Sequence, residues 1–492
     1  MGEKENKKEK METDLSGHYR DKKNLHPPFA KLGGMTFSSW KDHRMPEMLW
    51  AVLAIGNWER ERALDFFRHV VIFSKQNKDC FDVTLTGISK FPLEKRIAFI
   101  KHVLSWSDDT KKILRPLLFF TKLPGLSEWK SYLEEPTVED AGKIANGVEK
   151  VLWHQSQEAT DCRWVKFLSL IMAEKIKFFS GIKDINETLR GVFEYPNYGD
   201  LTHIRPFIRS SEIAPGGEMT TDYAWAEHFW DTCYQKTPCF PESRVDKNPF
   251  PEPKEWDKKR KHYMNETIRI RKTLIDHFLN TSTITAIDYR HEGVFGLALY
   301  ALTLLVEIII SRIDFSVTGR LSLRSIVEAR ITLAYLFKKD NLELWESYRQ
   351  YGVGQAKLVH LKLQEITDKP SSIDPTTTER IANEDKWQEF VSINLGHWDN
   401  TSLREISEDA DLKDVYDKYY NWSSGYIHAN WAAVREVSFE KCLNPLHRLH
   451  RLPHLRYPIL PDVIKDSVKE INSILDLVSA AYPTYLERIK IY

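Results

Sequence analysis

From Val294 to Ile310 the chain reads VFGLALYALTLLVEIII, seventeen residues with a single charge, Glu307. No other stretch constrains the fold as much. A helix that is apolar on every face belongs either at the centre of a domain or in a bilayer. A spanning helix needs about 20 apolar residues. This run is shorter, and Arg290, His291 and Glu292 precede it directly. The reading is therefore a central buried helix and no membrane partner. Glu307 then needs a buried partner, because an unpaired carboxylate would destabilise the core.

Helical periodicity dominates the rest of the chain, and strand alternation is hard to find. The spacing of apolar residues predicts helices over Met48–Ser74 (one or two), Leu93–Trp106, Asp108–Thr121, Thr137–His154 and Cys162–Phe179. Thr137 followed by Asp140 has the form of a capping signal. Residues 195–256 then carry eleven of the chain's prolines and glycines, a density that interrupts helices. This stretch keeps Trp225, Phe229, Trp230 and Tyr234, as an ordered connector would. Helical pattern resumes over Asp257–Asn280, Gly293–Ile313, Leu321–Phe337, Leu342–Thr367, Thr377–Asn394, Leu412–Val434 and Pro461–Ile491.

The fold class is accordingly all-α. A charged, disordered tail is expected over 1–30, an N-terminal helical domain over 31–194, a Pro-rich connector over 195–256 and a helical bundle over 257–492. With 492 residues, of which 42% are apolar and 15 are Trp, the chain can bury a large core, which excludes global disorder. The tail has no apolar segment of a signal peptide. Five scattered cysteines exclude a disulfide scaffold and fit a cytoplasmic location.

Two helices carry candidate chemistry. In Leu321–Phe337, residues Arg324, Glu328, Ile331 and Tyr335 share one face on a 3.6-residue period. Arg330 falls in the neighbouring apolar arc, so we expect it to pair with Glu307. In Leu412–Val434, residues Tyr416, Tyr420, Ser424, His428 and Trp431 form one stripe, and Gly425 permits close helix approach. If the two stripes face each other, Arg324, Glu328, Tyr335, Tyr420, Ser424 and His428 form one buried polar cluster. His428 would then transfer protons, since its unperturbed pKa lies near neutrality. Arg324 would hold a phosphate through its planar fork, and Glu328 would orient one or the other. Tyr420 and Ser424 would line the substrate site. The same cluster could instead be a hydrogen-bond network that fixes helix register.

These residues carry a resemblance. Arg324-x-x-x-Glu328 with Tyr335-Leu336, then Trp345-x-x-Tyr348-x-x-Tyr351, then Tyr420-x-x-x-Ser424-x-x-x-His428-Ala429, resemble an uncharacterised bacterial family of helical-bundle domains near the HEPN-like folds. The similarity spans at most Ile284–Asp476. It implies a bundle common in prokaryotic antiviral defence systems. Many HEPN proteins are metal-independent ribonucleases that use an R-x4–6-H pair. Five pairs here have that spacing: Arg20/His26, Arg62/His69, Arg96/His102, Arg271/His277 and Arg448/His454. This is little more than chance spacing supplies, and none includes His428.

Charge adds a local term to a neutral total. Lys+Arg and Asp+Glu are 70 each, so bulk coating of nucleic acid is excluded. The loop NPLHRLHRLPHLR (444–456) is nevertheless basic, and Arg448 and Arg451 are expected phosphate contacts. A second basic run covers Lys254–Lys272, and Asp368–Asp417 holds 13 acids against 5 bases, a pattern that can drive self-association. His447 and His450 lie one turn apart, but no acid or cysteine follows closely to complete a metal shell. His228, Cys233 and Cys239 do not have a zinc spacing either. No metal and no cofactor are therefore expected. Nucleotide-hydrolase, dinucleotide and metalloprotease motifs are absent. The sequence thus points to a cytoplasmic defence protein that binds RNA or nucleotide and cleaves RNA as a homo-oligomer. The alternative is a non-enzymatic or regulatory subunit that docks a partner protein.

Overall fold

In the computed structural model the helical periodicity is realised over about two-thirds of the described chain. The structure describes residues 17–22, 24–27, 38–176, 185–213, 223–242, 255–399, 401–455 and 459–492. Most of the expected N-terminal tail and parts of the Pro-rich connector (214–222 and 243–254) lie outside the described residues, as does Arg456. The architecture is all-α, with two small antiparallel ribbons among the described residues: β1 (Tyr19–Asp21) with β2 (Asn24–His26), and β3 (Phe439–Lys441) with β4 (Arg451–Pro453).

The chain divides into two units, one comprising 1–241 with Cys442–His450 and the other 242–441 with 451–492. Two expectations change here. Much of the expected connector belongs to the first unit, where Ile204–Ser211 and Ala224–Lys236 are helical. Cys442–His450, expected within the C-terminal bundle, also belongs to the first unit.

The first unit is built on α1 (Leu49–Asn57), α2 (Arg60–Gln76), α3 (Val138–Val151), α4 (Gln157–Met172) and α5 (Ala224–Lys236). Helix α1 is apolar on all faces and buried from Leu49 to Gly56. It meets α3 back to back. A Cβ on Gly56 would lie 2.2 Å from the Gly147 Cα, so only two glycines permit this crossing. The Thr137–Asp140 capping box forms as the spacing predicts. Indoles fill the core, and several hand their N–H to a carbonyl: Trp40 to Val151, Trp50 to Val83, Trp164 to Val192 and Trp225 to Pro46. Each such bond removes the desolvation penalty of a buried donor.

The second unit packs α6 (Glu255–Thr281), α7 (Tyr289–Ile310), α8 (Val317–Lys339), α9 (Leu342–Glu365) and, after a short helix α10 (Asn421–Ile427), α11 (Ile464–Ala481). The apolar run lies in α7. This helix is long and apolar enough to cross a membrane by length and composition, and half of its most apolar window is buried in the unit. Its buried stripe runs from Val294 through Ala298, Ala301 and Leu305 to Ile309.

The expected Glu307–Arg330 pair does not form. Glu307 is exposed, because α7 buries only one stripe. Arg330 pairs instead with Glu470 of α11, which is fully buried. The premise that Arg330 needs a buried acid holds; the acid comes from a helix 140 residues downstream.

The expected long helix over Leu412–Val434 is broken, with consequences for the site. It consists of Lys413–Val415, a π-helical turn Tyr416–Tyr420, α10, and a separate helix Trp431–Ser438. Asn430 causes the break. Its Oδ1 accepts from the Ala433 N–H and caps the second helix, while its own N–H bonds the Gly425 carbonyl at 2.9 Å. Ala429 turns left-handed at φ 47°, as at a helix end closed by a six-to-one bond. The Asn430 amide occupies the space a Cβ on Gly425 would need.

Candidate ligand-binding cleft

Helices α7, α8 and α9, with the loop carrying His397 and Trp398, enclose a cavity of about 740 Å³. Small residues open it. A Cβ on Gly296 of α7 or Gly352 of α9 would meet nothing within 4 Å. Glycine inside a helix costs about 1 kcal/mol relative to alanine. These two therefore leave stability unused and keep the mouth of the cleft clear.

The wall is aromatic. Tyr289, Tyr300, Tyr348, Tyr351, His397 and Trp398 all line it. Trp398 is held edge-on by Tyr335 (5.9 Å between ring centroids) and Tyr348 (5.5 Å), beside His397 at 5.2 Å. Tyr335 is fixed in turn by its hydroxyl, which donates to Asp399 at 2.5 Å.

Glu328 supplies the cleft with a carboxylate, 41% exposed. Burial pushes the Tyr348 hydroxyl up to about 12, with nearby Tyr300 and the Glu328 charge adding to it. Burial pushes the His397 imidazole below its ordinary value, against the opposing pull of Glu328 and Asp399. Burial thus favours the neutral imidazole, which can accept or donate a hydrogen bond. Arg349 also borders the cleft, but its charge is already matched. It makes a bidentate pair with Asp385 (2.7 and 2.8 Å) and bonds Glu292.

Four of the sequence-predicted residues come together beside this cleft. Arg324 sits 3.6 Å from Glu328, donates from Nε to Ser424 Oγ at 3.2 Å, and bonds the Tyr420 hydroxyl. Its guanidinium also lies over the Tyr420 ring, 4.1 Å from the centroid. The expected cluster loses two members. Tyr335 belongs to the Trp398–Asp399 contact described above. His428 is exposed, because α10 ends at Ile427 and the stripe that would have carried it inward ends there too. Among the described residues its side chain makes none of the cluster's hydrogen bonds, so the expected buried proton-transfer position is not where His428 stands.

The two expected phosphate contacts fall in different units. Arg448 belongs to the first, where it meets Asp42 at 3.4 Å and lies over the Trp230 ring. Arg451 lies in β4 of the second, half-buried. The acidic stretch Asp368–Asp417 is partly neutralised within its own unit by Lys338–Asp411, Lys339–Asp409 and Arg349–Asp385 pairs. His228, Cys233 and Cys239 do not converge. His228 accepts from the Lys122 N–H at 3.3 Å, Cys233 is in the core, and Cys239 lies against His447 and His450.

His397, Trp398 and Tyr300 were not singled out from the sequence. Tyr300 lies within the apolar run and read as core. His397 and Trp398 sit in an irregular loop beyond the expected helix Thr377–Asn394, of which only Pro375–Ala382 and a short turn Gln388–Phe390 are helical.

The second unit is thus an α-helical bundle with an aromatic, carboxylate-bearing cleft. Residues 291–441 match a family described only as a family of unknown function, DUF5677. The match covers less than a third of the chain, yet it includes every cleft residue named here except Tyr289, and also Arg324, Tyr420, Ser424 and His428. No curated protein and no solved structure matches the chain.

Proposed function

We propose that the second unit binds RNA or a nucleotide by taking a base into the aromatic cleft. We further propose that the chain serves prokaryotic antiviral defence, as the HEPN-like resemblance implies. The observation that carries the binding reading is the pairing of an aromatic wall with the Glu328 carboxylate, which is less tightly paired than the other cleft acid, Glu292. Aromatic rings stack on any base, a contact worth about 1–3 kcal/mol each. A carboxylate accepts from an exocyclic amino group, which favours a base that presents one. Arg324, one contact away from Glu328, supplies a planar donor fork for the attached phosphate.

The test titrates the purified full chain with nucleoside mono- and triphosphates and with a short single-stranded RNA, read by calorimetry and tryptophan fluorescence. Glu328→Gln is expected to weaken binding about tenfold, the value of one charge-assisted hydrogen bond. Gly296→Leu is expected to abolish it by filling the cleft. Failure of every ligand to bind tighter than about 1 mM would reject the proposal. Incubation with total RNA, with and without an infection-derived activator, tests cleavage separately. His397→Ala is the informative variant there, because His397 and not His428 faces the cleft.

A further inference from the structure

Four side chains that no sequence window places together converge in the first unit. Cys239 follows α5, and Cys442, His447 and His450 come from the excursion between β3 and β4. One ligand atom from each lies within 4.8 Å of all the others. The separations inside the group are informative. Cys239 Sγ is 3.5 Å from His447 Nδ1 and 3.5 Å from His450 Nε2, and Cys442 Sγ is 3.5 Å from His447 Nδ1. A tetrahedral zinc site has Zn–S near 2.3 Å and Zn–N near 2.0–2.1 Å, which sets sulfur and nitrogen about 3.6 Å apart.

We propose that Cys239, Cys442, His447 and His450 bind one zinc ion as a closed, structural Cys2His2 site. Binding exchanges two thiol protons, released to solvent, for two sulfur–zinc bonds, with no change of oxidation state.

The surroundings orient the ligands as a metal requires. Thr237 Oγ1 gives its hydrogen to the Cys233 carbonyl at 2.8 Å, so towards His447 it can only accept. His447 Nε2 lies 3.0 Å from that oxygen and 3.2 Å from the Thr237 carbonyl. Nε2 must therefore carry the ring hydrogen, which leaves the Nδ1 lone pair aimed at the two sulfurs. This is the outer-shell bond that fixes the tautomer of metal-bound histidines. The Phe240 N–H donates to Cys442 Sγ at 3.3 Å, a bond that favours the thiolate.

Simple thiol–imidazole hydrogen bonding accounts for less. Nδ1 of His447 has one lone pair, and two sulfurs stand at the same distance from it. The turn between the two histidines adds a further cost. Arg448 and Leu449 are both left-handed, at φ 53° and 56°. Two consecutive non-glycine residues there cost of order 1–3 kcal/mol each, and need something to tie the ends of the turn together. An ion held by His447 and His450 does so. Cys442 and His447 are buried and all four positions are protein ligands, as in structural sites rather than catalytic ones, which keep an open position.

The test is metal content of the full chain, purified under reducing conditions without chelator. About one zinc per chain is expected by elemental analysis, and the cobalt(II)-substituted protein should show tetrahedral d–d bands with thiolate-to-cobalt charge transfer. Cys239→Ser and His450→Gln should each lower zinc occupancy, and a strong chelator should lower the Tm of wild type but not of the variants. Wild type that holds less than about a tenth of an equivalent after zinc loading and desalting would overturn the proposal. So would cobalt that binds without charge transfer, a readout on wild type that stands even if a variant fails to fold.

Discussion

The Arg260–Asp314 pair is a sharp test of how the second unit is held together. Asp314 is fully buried and Arg260 is 4% exposed. Four nitrogen–oxygen contacts of 2.8–3.2 Å join them, with both carboxylate oxygens and both Nε and Nη2 engaged. Neither charge has much access to water. Removing Asp314 leaves the buried guanidinium with the more distant and exposed Asp257, at 3.8 Å, in place of a bidentate partner, and removing Arg260 strands a fully buried carboxylate, each at a cost of about 3–5 kcal/mol. A domain has about 5–15 kcal/mol in total, so Asp314→Ala should bring the second unit close to its unfolding threshold. Replacing both residues together has a different consequence. Two apolar side chains of similar volume avoid the desolvation of both ions, so Arg260→Met with Asp314→Leu should recover most or all of the loss. Urea unfolding of all four proteins, followed by far-ultraviolet circular dichroism, closes the cycle. Single variants that lose less than about 1 kcal/mol would show that the pair is not desolvated as drawn. A double variant as unstable as the sum of the singles would show that the two residues act independently.

The same substitution at two glycines should have opposite signs. Gly56→Ala places a Cβ 2.2 Å from the Gly147 Cα and should destabilise by about 1–3 kcal/mol, whereas Gly296→Ala meets nothing and should stabilise by about 0.5–1 kcal/mol; matching signs in thermal unfolding would contradict the packing. Acid should weaken both units. Burial lowers the folded pKa of His102 in the first unit and of His291 in the second, so stability is fully present above the unfolded value near 6.5 and is lost as pH falls below it; a urea midpoint that rises between pH 7.5 and 5.5 would refute this. Arg330→Met alone should cost about 3–5 kcal/mol by stranding Glu470, with rescue by Glu470→Leu in the same protein as the check.

Helices were legible in the sequence because burial on one face imposes a local period. The capping box at Thr137 and the helix over the Val294–Ile310 run both follow from neighbours within a few residues, although that helix buries one stripe and not every face. Partners were not legible. Arg330 announced its need for a buried acid, but which acid answers is decided by how α11 packs on α8. Asn430 shows the complementary failure. The stripe Tyr420–Ser424–His428 is correct up to Ser424, then stops being a helix face, because one side chain caps the next helix and occupies the space left by Gly425. Periodicity cannot register that competition, since Asn430 itself is neutral to the pattern. Arg324, Glu328, Tyr420 and Ser424 were found because they are polar residues at helical spacing. His397 and Trp398 were missed because they act from an irregular loop.

The four-ligand cluster shows why spacing rules fail in one direction. A rule such as two cysteines followed by two histidines at fixed offsets works when one short segment folds around its metal. Here the segment supplies one cysteine and two histidines, Cys442-x4-His447-x2-His450, and the fourth ligand comes from about two hundred residues earlier. Read alone, the histidine pair looked like part of a basic loop, and Cys239 looked like a scattered thiol. The physical signal lies in the loop's conformation. Leu446 and His447 are buried within the loop, and Arg448 and Leu449 take up left-handed conformations with no glycine to ease them. A loop that accepts such costs must be fixed by strong contacts at both ends. Asn444 supplies one, donating to Thr237 Oγ1 and to the Pro238 carbonyl at 3.0 and 2.9 Å. Those bonds bring the loop against the chain that carries Cys239, and so complete a ligand set that neither segment encodes by itself.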